Sequence, residues 1–423
     1  MPVRVALLAL ALLAGCGGTT EGAGPGSGSG GATGPGVGGA GGAGGVGGGP
    51  ATSTGGGGGA PGACADIFDE ALVPTFELEI AASDWDALVD EYQNAQKYLD
   101  AGIPLKQYRP AVFRYQDELH EDAFVRLRGN PCCSWGGSKL QLAVAFNRVD
   151  KKKRFHGLRK ILLDAPPYDP SLMRDAIGYR TMRELGLPAP CSNHARLVVN
   201  GQYHGLFSHV EAPDKELLQR YFGDDDEGNL YKYDWTYQKW EKKTNGSSPD
   251  MSDLDALLGV ADLATFEALA DVDQFVAGLG AEAVVPDNDG LWVGSINYLL
   301  YKHPKRGFLY IPWDMDFWGE ATMDPLAAGN PEGSYYSFRV FGLLRDDPAR
   351  RADFVASVGS ARAAYDPAKL QAWIDAAAAR IAPHVQADVN RPFTYEEHVG
   401  DVAILRGFVA ERAAFVDAWL AQE

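Results

Sequence analysis

Residues 308–320 read FLYIPWDMDFWGE. Phe308, Leu309, Tyr310 and Ile311, with Trp313, Phe317 and Trp318 beyond them, have the composition of a strand entering a core. Asp314 and Asp316 interrupt it. In an extended strand residues i and i+2 point to one face, so the two carboxylates are expected to project together, with Met315 opposite. Acids that close repel, and desolvation among aromatics adds to the cost. A divalent cation removes both penalties. Mg²⁺ typically takes one or two carboxylates and leaves its other positions to water and phosphate oxygens. The structural alternative is that one Asp caps the next turn and the other pairs with a base.

Residues 286–301, PDNDGLWVGSINYLLY, come just upstream. Asp287 and Asp289 sit in a turn-like stretch, and Asn297 opens a strand. A hairpin turning at Pro304–Gly307 then leads to Asp314. A loop carboxylate, an Asn, a hairpin and a metal-binding Asp are the order of parts that protein kinases use for phosphoryl transfer. The loop acid accepts or orients the acceptor's hydroxyl proton. Asp289 is the first candidate for that role and Asp287 the alternative.

Residues 126–144, RLRGNPCCSWGGSKLQLAV, place a Gly-containing loop between two strands. Exposed backbone N–H groups in such a loop can approach phosphate oxygens. Lys139 leaves the loop as a point charge, and Arg126 and Arg128 add fork-shaped donors. An ordinary hairpin with surface bases is the alternative. Glu211 closes a strand just before a helix, which suits a cap. In a two-lobed nucleotide enzyme, residues 211–215 lie where adenine docks.

Elsewhere, strands are expected around Phe76–Ile80 and in YRPAVFRY, DAFVRLRG and SKLQLAVAF. Residues 169–188 form the clearest helix, capped by Asp169 or Ser171 and stopped by Gly186 and Pro188. An Asn200–Gly201 turn makes a hairpin of 194–212. Residues 250–285 and 361–423 are helical. Strands first and helices last make the class α+β.

Residues 1–16, MPVRVALLALALLAGC, carry one base, a short apolar run and a small-residue approach to Cys16. The run is too short to span a bilayer and fits a lipoprotein signal peptide with Cys16 as the acylated residue. Residues 17–63 are Gly-rich, cannot bury enough surface to order themselves, and read as a disordered tether. The folded part runs from 64 to 423, a length that suits a two-lobed domain. A formal net charge of −18 disfavours nucleic acid and anionic membranes as partners. Membrane attachment is expected only through Cys16. In an exported chain Cys64, Cys132, Cys133 and Cys191 can form disulfides. Adjacent cysteines seldom bond each other, so bridges from Cys132 and Cys133 to Cys64 and Cys191 are expected.

These stretches together resemble the CotH family, spore-coat kinases with a divergent protein-kinase-like fold. The resemblance rests on RLRGN with Lys139, on residues 155–190, on VVNGQYHGLFSHVEAPDKELL, on GNLYKYD, and on INYLLYKHPKRGFLYIPWDMDFWG, in that order. It covers about 74–320. It implies a sheet-rich N-terminal lobe (about 74–212), a helix-rich C-terminal lobe (about 213–423), and phosphorylation of Ser or Thr using ATP and Mg²⁺ or Mn²⁺. Carried over by position, Asp289 is catalytic and Lys139 meets the ATP phosphates, held by Asp175 or Glu184. Arg128, Arg174 and Glu211 join the nucleotide site, with a lobe-spanning strut as the alternative for Arg174. Asn297, Asp314 and Asp316 hold metal. The loop departs from the family pattern at Pro131, Cys132, Cys133 and Trp135. The acceptor implied is a protein of the cell envelope, reached from the outer membrane or cell surface. Two other functions suit the same residues: AMP transfer, and a tethered binding or structural lipoprotein.

Overall fold

Strands dominate the first half of the folded chain and helices the second. The computed structural model describes Cys64 and residues 66–135, 139–316, 318–326 and 340–423. Cys16 and the whole of residues 1–63, where a leader and a tether are expected, lie outside the described residues.

Seven strands close a barrel: β1 (Thr75–Glu79), β2 (Arg109–Tyr115), β3 (Glu118–Leu127), β4 (Leu142–Ala145), β5 (Lys160–Asp164), β6 (Ser192–Val199) and β7 (Gln202–Glu211). Their order around it is β1-β2-β3-β4-β5-β7-β6. An open antiparallel sheet is what local alternation suggests. Closure comes from β1, which pairs antiparallel with β2 and parallel with β6, setting Phe76 opposite Leu197. That leaves no strand edge unpaired. The interior is aromatic: Phe113 lies 4.9 Å from Phe155 and 5.0 Å from Phe146. The β6–β7 turn places Asn200 and Gly201 at positive φ, as an Asn-Gly hairpin turn requires.

A second sheet has the order β11-β10-β8-β9, from β8 (Asn229–Asp234), β9 (Lys239–Lys242), β10 (Tyr298–His303) and β11 (Gly307–Pro312). The barrel meets it through the segment before β2. There the Leu105 N–H donates to Tyr237 Oη at 2.8 Å, and Lys106 Nζ to Thr236 Oγ1 at 2.8 Å.

Helices α1 (Ala82–Gln93) and α2 (Ala95–Asp100) follow β1, and α3 (Arg174–Glu184) and α4 (Lys215–Phe222) follow β5 and β7. The helix expected over 169–188 is shorter, with Met173 and not Asp169 or Ser171 at its N-cap, and the two hold the approach to it. They accept from the N–H groups of Arg174 (2.9 Å) and Met173 (3.0 Å), ahead of the first helical turn. Gly186, at φ +87°, ends it, and the Leu187 N–H returns to Met182 O at 3.0 Å. Three short helices, α5 (Ser252–Leu258), α6 (Leu263–Leu269) and α7 (Val272–Glu282), precede β10. The chain ends in α8 (Val340–Asp346), α9 (Pro348–Ala364), α10 (Pro367–Ala387) and α11 (Tyr395–Leu420). The apolar faces of α10 and α11 join α3, β10 and β11 in one core containing Ile177, Leu309, Ile374, Ile381 and Leu405, while Leu344 of α8 and Phe354 and Val358 of α9 pack in a second core with α7.

The cysteines pair differently from the expectation. Cys64 bonds Cys191, with Cα atoms 5.6 Å apart, and Cys132 bonds its neighbour Cys133. Barrel closure brings the segment before β1 to the start of β6, a proximity that spacing along the chain does not encode.

Candidate active site

β11 ends at Pro312, before the two acids. Asp314 takes φ +61°, a left-handed conformation that Asp tolerates better than most residues. The expectation that Asp314 and Asp316 share one face of a strand is therefore corrected: they lie on a turn. α3 clamps that turn. The Asp314 N–H donates to Tyr179 Oη at 2.7 Å. Met315 is buried against Gly178, where an added Cβ would stand 3.0 Å from the Met315 Cβ. The Trp318 indole N–H donates to Arg174 O at 3.2 Å, and Arg174 Nε donates to Trp318 O at 2.7 Å.

A second loop meets this turn. Asp287 and Trp318 form an isolated antiparallel bridge. Asp289 O accepts from the N–H groups of Ile296 (3.1 Å) and Asn297 (2.7 Å), folding residues 289–297 back on themselves. Asp287 is buried and accepts from the Asp289 N–H at 3.1 Å. Asp289 is half-buried and lies in the field of Asp314. Asp287 thus braces the loop and lies in the fields of Asp289 and Asp316, while Asp289 lies in that of Asp314.

Four acids act on one another here. Burial and then Asp314 push Asp175 up to about 8. The same two causes, in the same order, push Asp289 up to about 6. Burial, then Asp314, Asp175 and Asp289, hold Asp316 well above the carboxylate range. Oδ1 of Asp175 has no hydrogen-bond partner among the described residues. No three His, Cys, Asp or Glu side chains among those residues converge into a ready cation cage. The donor set fits a cation that takes one or two carboxylates and completes its shell with phosphate and water. Asp314 and Asp316 would hold it; Asp175 lies in the field of Asp314, and half-buried Asn297 donates its backbone N–H to Asp289 O.

A stability prediction follows. Asp175 and Asp289 stay protonated in the fold up to about pH 8 and about pH 6, but ionise near pH 4 when unfolded. The unfolded chain binds fewer protons over that interval, so stability falls as pH rises. Without divalent cation, the melting temperature is expected to drop between pH 5 and pH 8, an interval chosen around these carboxylates. Mn²⁺ or Mg²⁺ should restore more of it at the upper pH than at the lower. An equal shift at both, read by scanning fluorimetry, would place the cation elsewhere.

The remaining candidates separate. Arg128, just past β3, is buried, pairs with Asp164 at the end of β5 and lies 3.9 Å from Asp314 Oδ1. Lys139 does not face the acids. Its ammonium is buried, donates to Asp388 Oδ2 at 2.6 Å and to Leu206 O, and sits 4.5 Å from the Phe207 ring centroid. The charges acting on it come from Asp388 and Arg391. Asp388, at the end of α10, holds Lys139 in place of Asp175 or Glu184. Glu184 instead pairs with Arg180 at 3.0 Å and Lys369 at 2.9 Å.

Four of the five N–H donors of Arg174 are taken by protein acceptors among the described residues. Nη1 contacts Asp169 at 2.6 Å and also Asp401, Nη2 reaches Asp401 at 3.0 Å, and Nε holds Trp318 O. It is a strut joining α3, α11 and the acid turn. The Glu211 carboxylate accepts from the Cys191 N–H at 3.0 Å and from Arg220, so its side chain clamps β6 to α4. Both corrections have one cause: buried charge is satisfied inside the protein.

Sequence reading passed over Lys232. It lies on β8 opposite Leu299, and its Nζ is 4.9 Å from the ring centroid of Trp313, the residue before Asp314. Burial pulls its ammonium down to about 8, and Asp314 works the other way. The signal available was the apolar GNLYKYD strand with one Lys inside it.

The sequence model of a family described as CotH kinase protein matches residues 125–416. The chain belongs to the CotH family. Inner spore coat protein H of Bacillus subtilis (strain 168) is 28% identical over 191 residues, covering 40% of this chain and 52% of that protein. An inner spore coat protein H-like protein of the same strain is 35% identical over 63 residues, 15% of this chain and 20% of the other. The chain thus spans about half the length of one curated relative and a fifth of the other. Among solved structures, the Helicobacter pylori proinflammatory kinase CtkA aligns over 67% of this chain and 93% of its own, at 11% identity and a TM-score of 0.35. The Shewanella oneidensis MR-1 HipA–HipB–operator DNA complex aligns over 63% and 62%, at 12% identity and 0.31. CotH membership itself makes the chain kinase-like, in keeping with its α+β class.

Proposed function

We propose that this CotH protein transfers the γ-phosphoryl group of ATP to a Ser or Thr hydroxyl of an envelope protein, with Mg²⁺ or Mn²⁺ at Asp314. The observation that carries the proposal is the meeting of Asp289 and Asp314 across the Asp287–Trp318 bridge, in a chain of this family. Asp289 accepts the hydroxyl proton as the new O–P bond forms and the bond to the leaving ADP oxygen breaks. Asp314 and Asp316 would hold the cation, which when bound would neutralise phosphate charge. Arg128 orients Asp314 from the barrel side. The leader-like residues 1–16 with Cys16 support an acceptor in the envelope.

The test is label transfer from γ-³²P-ATP with Mn²⁺ to the chain itself and to casein. Wild type is expected to label, and Asp289→Asn to lose about 10²–10⁴-fold in rate, the contribution of a positioned base. The rate should fall as pH drops below about 6, where Asp289 takes up its proton; bound cation screens Asp314 and moves this limb lower. Intact mass of the acceptor separates phosphate from AMP transfer. Absence of both label and any ATP–Mg²⁺ thermal shift would replace the kinase reading with a displayed binding domain.

A further inference from the structure

Where the barrel meets the second sheet, cations gather in a chain whose net charge is −18. Lys232 lies in the fields of Lys243, Arg128 and Lys106, opposed by Asp314; Lys106 in those of Arg126 and Lys243, opposed by Asp234 and Glu241; and Lys243 in those of Lys160 and Arg126, opposed by Glu241. They come from five different strands or strand ends, so only the closed barrel and its contact with β8 and β9 assemble them.

Some are paired. Lys243 meets Glu241 at 3.2 Å, Lys160 meets Asp214 at 3.3 Å, and Arg128 holds Asp164. Lys106 Nζ bonds Thr236, and Arg126 Nη1 donates to Leu127 O at 2.9 Å while its guanidinium lies 5.3 Å from the Tyr108 ring centroid. Among the described residues, Lys106, Arg126 and Lys232 have no carboxylate within ion-pair distance. Asp234 and Glu241 already offset Lys106, whereas the acid acting on Lys232 is Asp314, whose charge a bound cation would take up. Lys232 stands at the inner end, over Trp313 and beside Asp314, where an anion bound to the cation at Asp314 would also reach it.

We infer that this cluster is the phosphate-binding element of the site, with Lys232 as its inner contact in the place that chain order assigns to Lys139. Arg126 and Lys106 meet the outer part of the polyphosphate. The inference rests on the kinase reading for the identity of its ligand, but not for the anion site itself.

The test is calorimetric titration of the full chain with inorganic tripolyphosphate at low ionic strength, alongside label transfer from ATP. Wild type is expected to bind tripolyphosphate, more weakly as salt rises. Lys232→Met should weaken binding about tenfold, one charge-assisted hydrogen bond, and Lys232→Arg should recover most of it. A role confined to packing on Trp313 would let Met serve as well as Arg. Arg126→Gln gives a second reading at a part-buried position if Lys232→Met does not fold. Unchanged affinity in Lys232→Met, or no binding by wild type, overturns the inference. If Lys232→Met also transfers phosphate at the wild-type rate, the inference fails while the kinase reading stands. If wild type binds tripolyphosphate through Lys232 but transfers nothing from ATP, the anion site stands and the kinase reading falls.

Discussion

Asp314→Asn is expected to lose phosphate transfer by at least about 10²–10³-fold while the protein stays folded. Asn accepts the left-handed conformation of residue 314 as readily as Asp does. Its backbone N–H still donates to Tyr179 Oη, and Gly178 still receives Met315. What disappears is the charge. Asp175, Asp289 and Asp316 all carry Asp314 as a cause of their raised pKa, so each should ionise more easily in the variant. Without cation, the neutral-pH melting temperature should therefore stay level or rise, and the Mn²⁺-induced increment should shrink. Lower activity with equal or higher stability marks a group kept for chemistry. Label incorporation equal to wild type would remove Asp314 from the mechanism.

Arg174→Met is expected to have the largest effect on stability, a loss of about 3–5 kcal/mol in urea unfolding. Burial works against the guanidinium, and Asp169 with Asp401 more than offsets it. Removing the cation leaves Asp169, wholly buried, without its partner and Asp401 nearly so. The reciprocal hold between Arg174 and Trp318 also goes, which frees the acid turn from α3. Arg174→Lys should fall between the two, since a point charge cannot serve Asp169, Asp401 and Trp318 O together. Adding Asp169→Asn to Arg174→Met should recover part of the loss, because the stranded charge is then absent. A loss under about 1 kcal/mol, the scale of a surface pair, would show that the three groups are solvated.

Much of the local structure was legible in the chain. The Asn200–Gly201 turn, the Pro304–Gly307 hairpin and the existence of the Arg174–Glu184 helix with its stop at Gly186 all depend on neighbours in sequence. So does the order of strands before helices. The acids of the candidate site were also visible, because carboxylates in an aromatic run are costly wherever they end up. Their geometry was not. Alternation could not show that β11 stops at Pro312, since the reversal at Asp314 is held by Tyr179, 135 residues earlier.

Partnerships across the fold were hidden altogether. Lys139 finds Asp388, 249 residues away, because the end of α10 packs on β7. Lys232 faces Asp314 because β8 pairs with β10, which pairs in turn with β11. Cys64 reaches Cys191 through barrel closure, which leaves Cys132 to bond its neighbour. By itself, the sequence determined the α+β class, the main turns and the presence of costly acids, because each follows from local sterics, periodicity or composition. The tertiary structure alone decided which cation meets which acid and which carboxylates share one field. Those choices depend on strand closure and helix packing, and burial makes each charge take the nearest partner in space, however far away it lies in the chain.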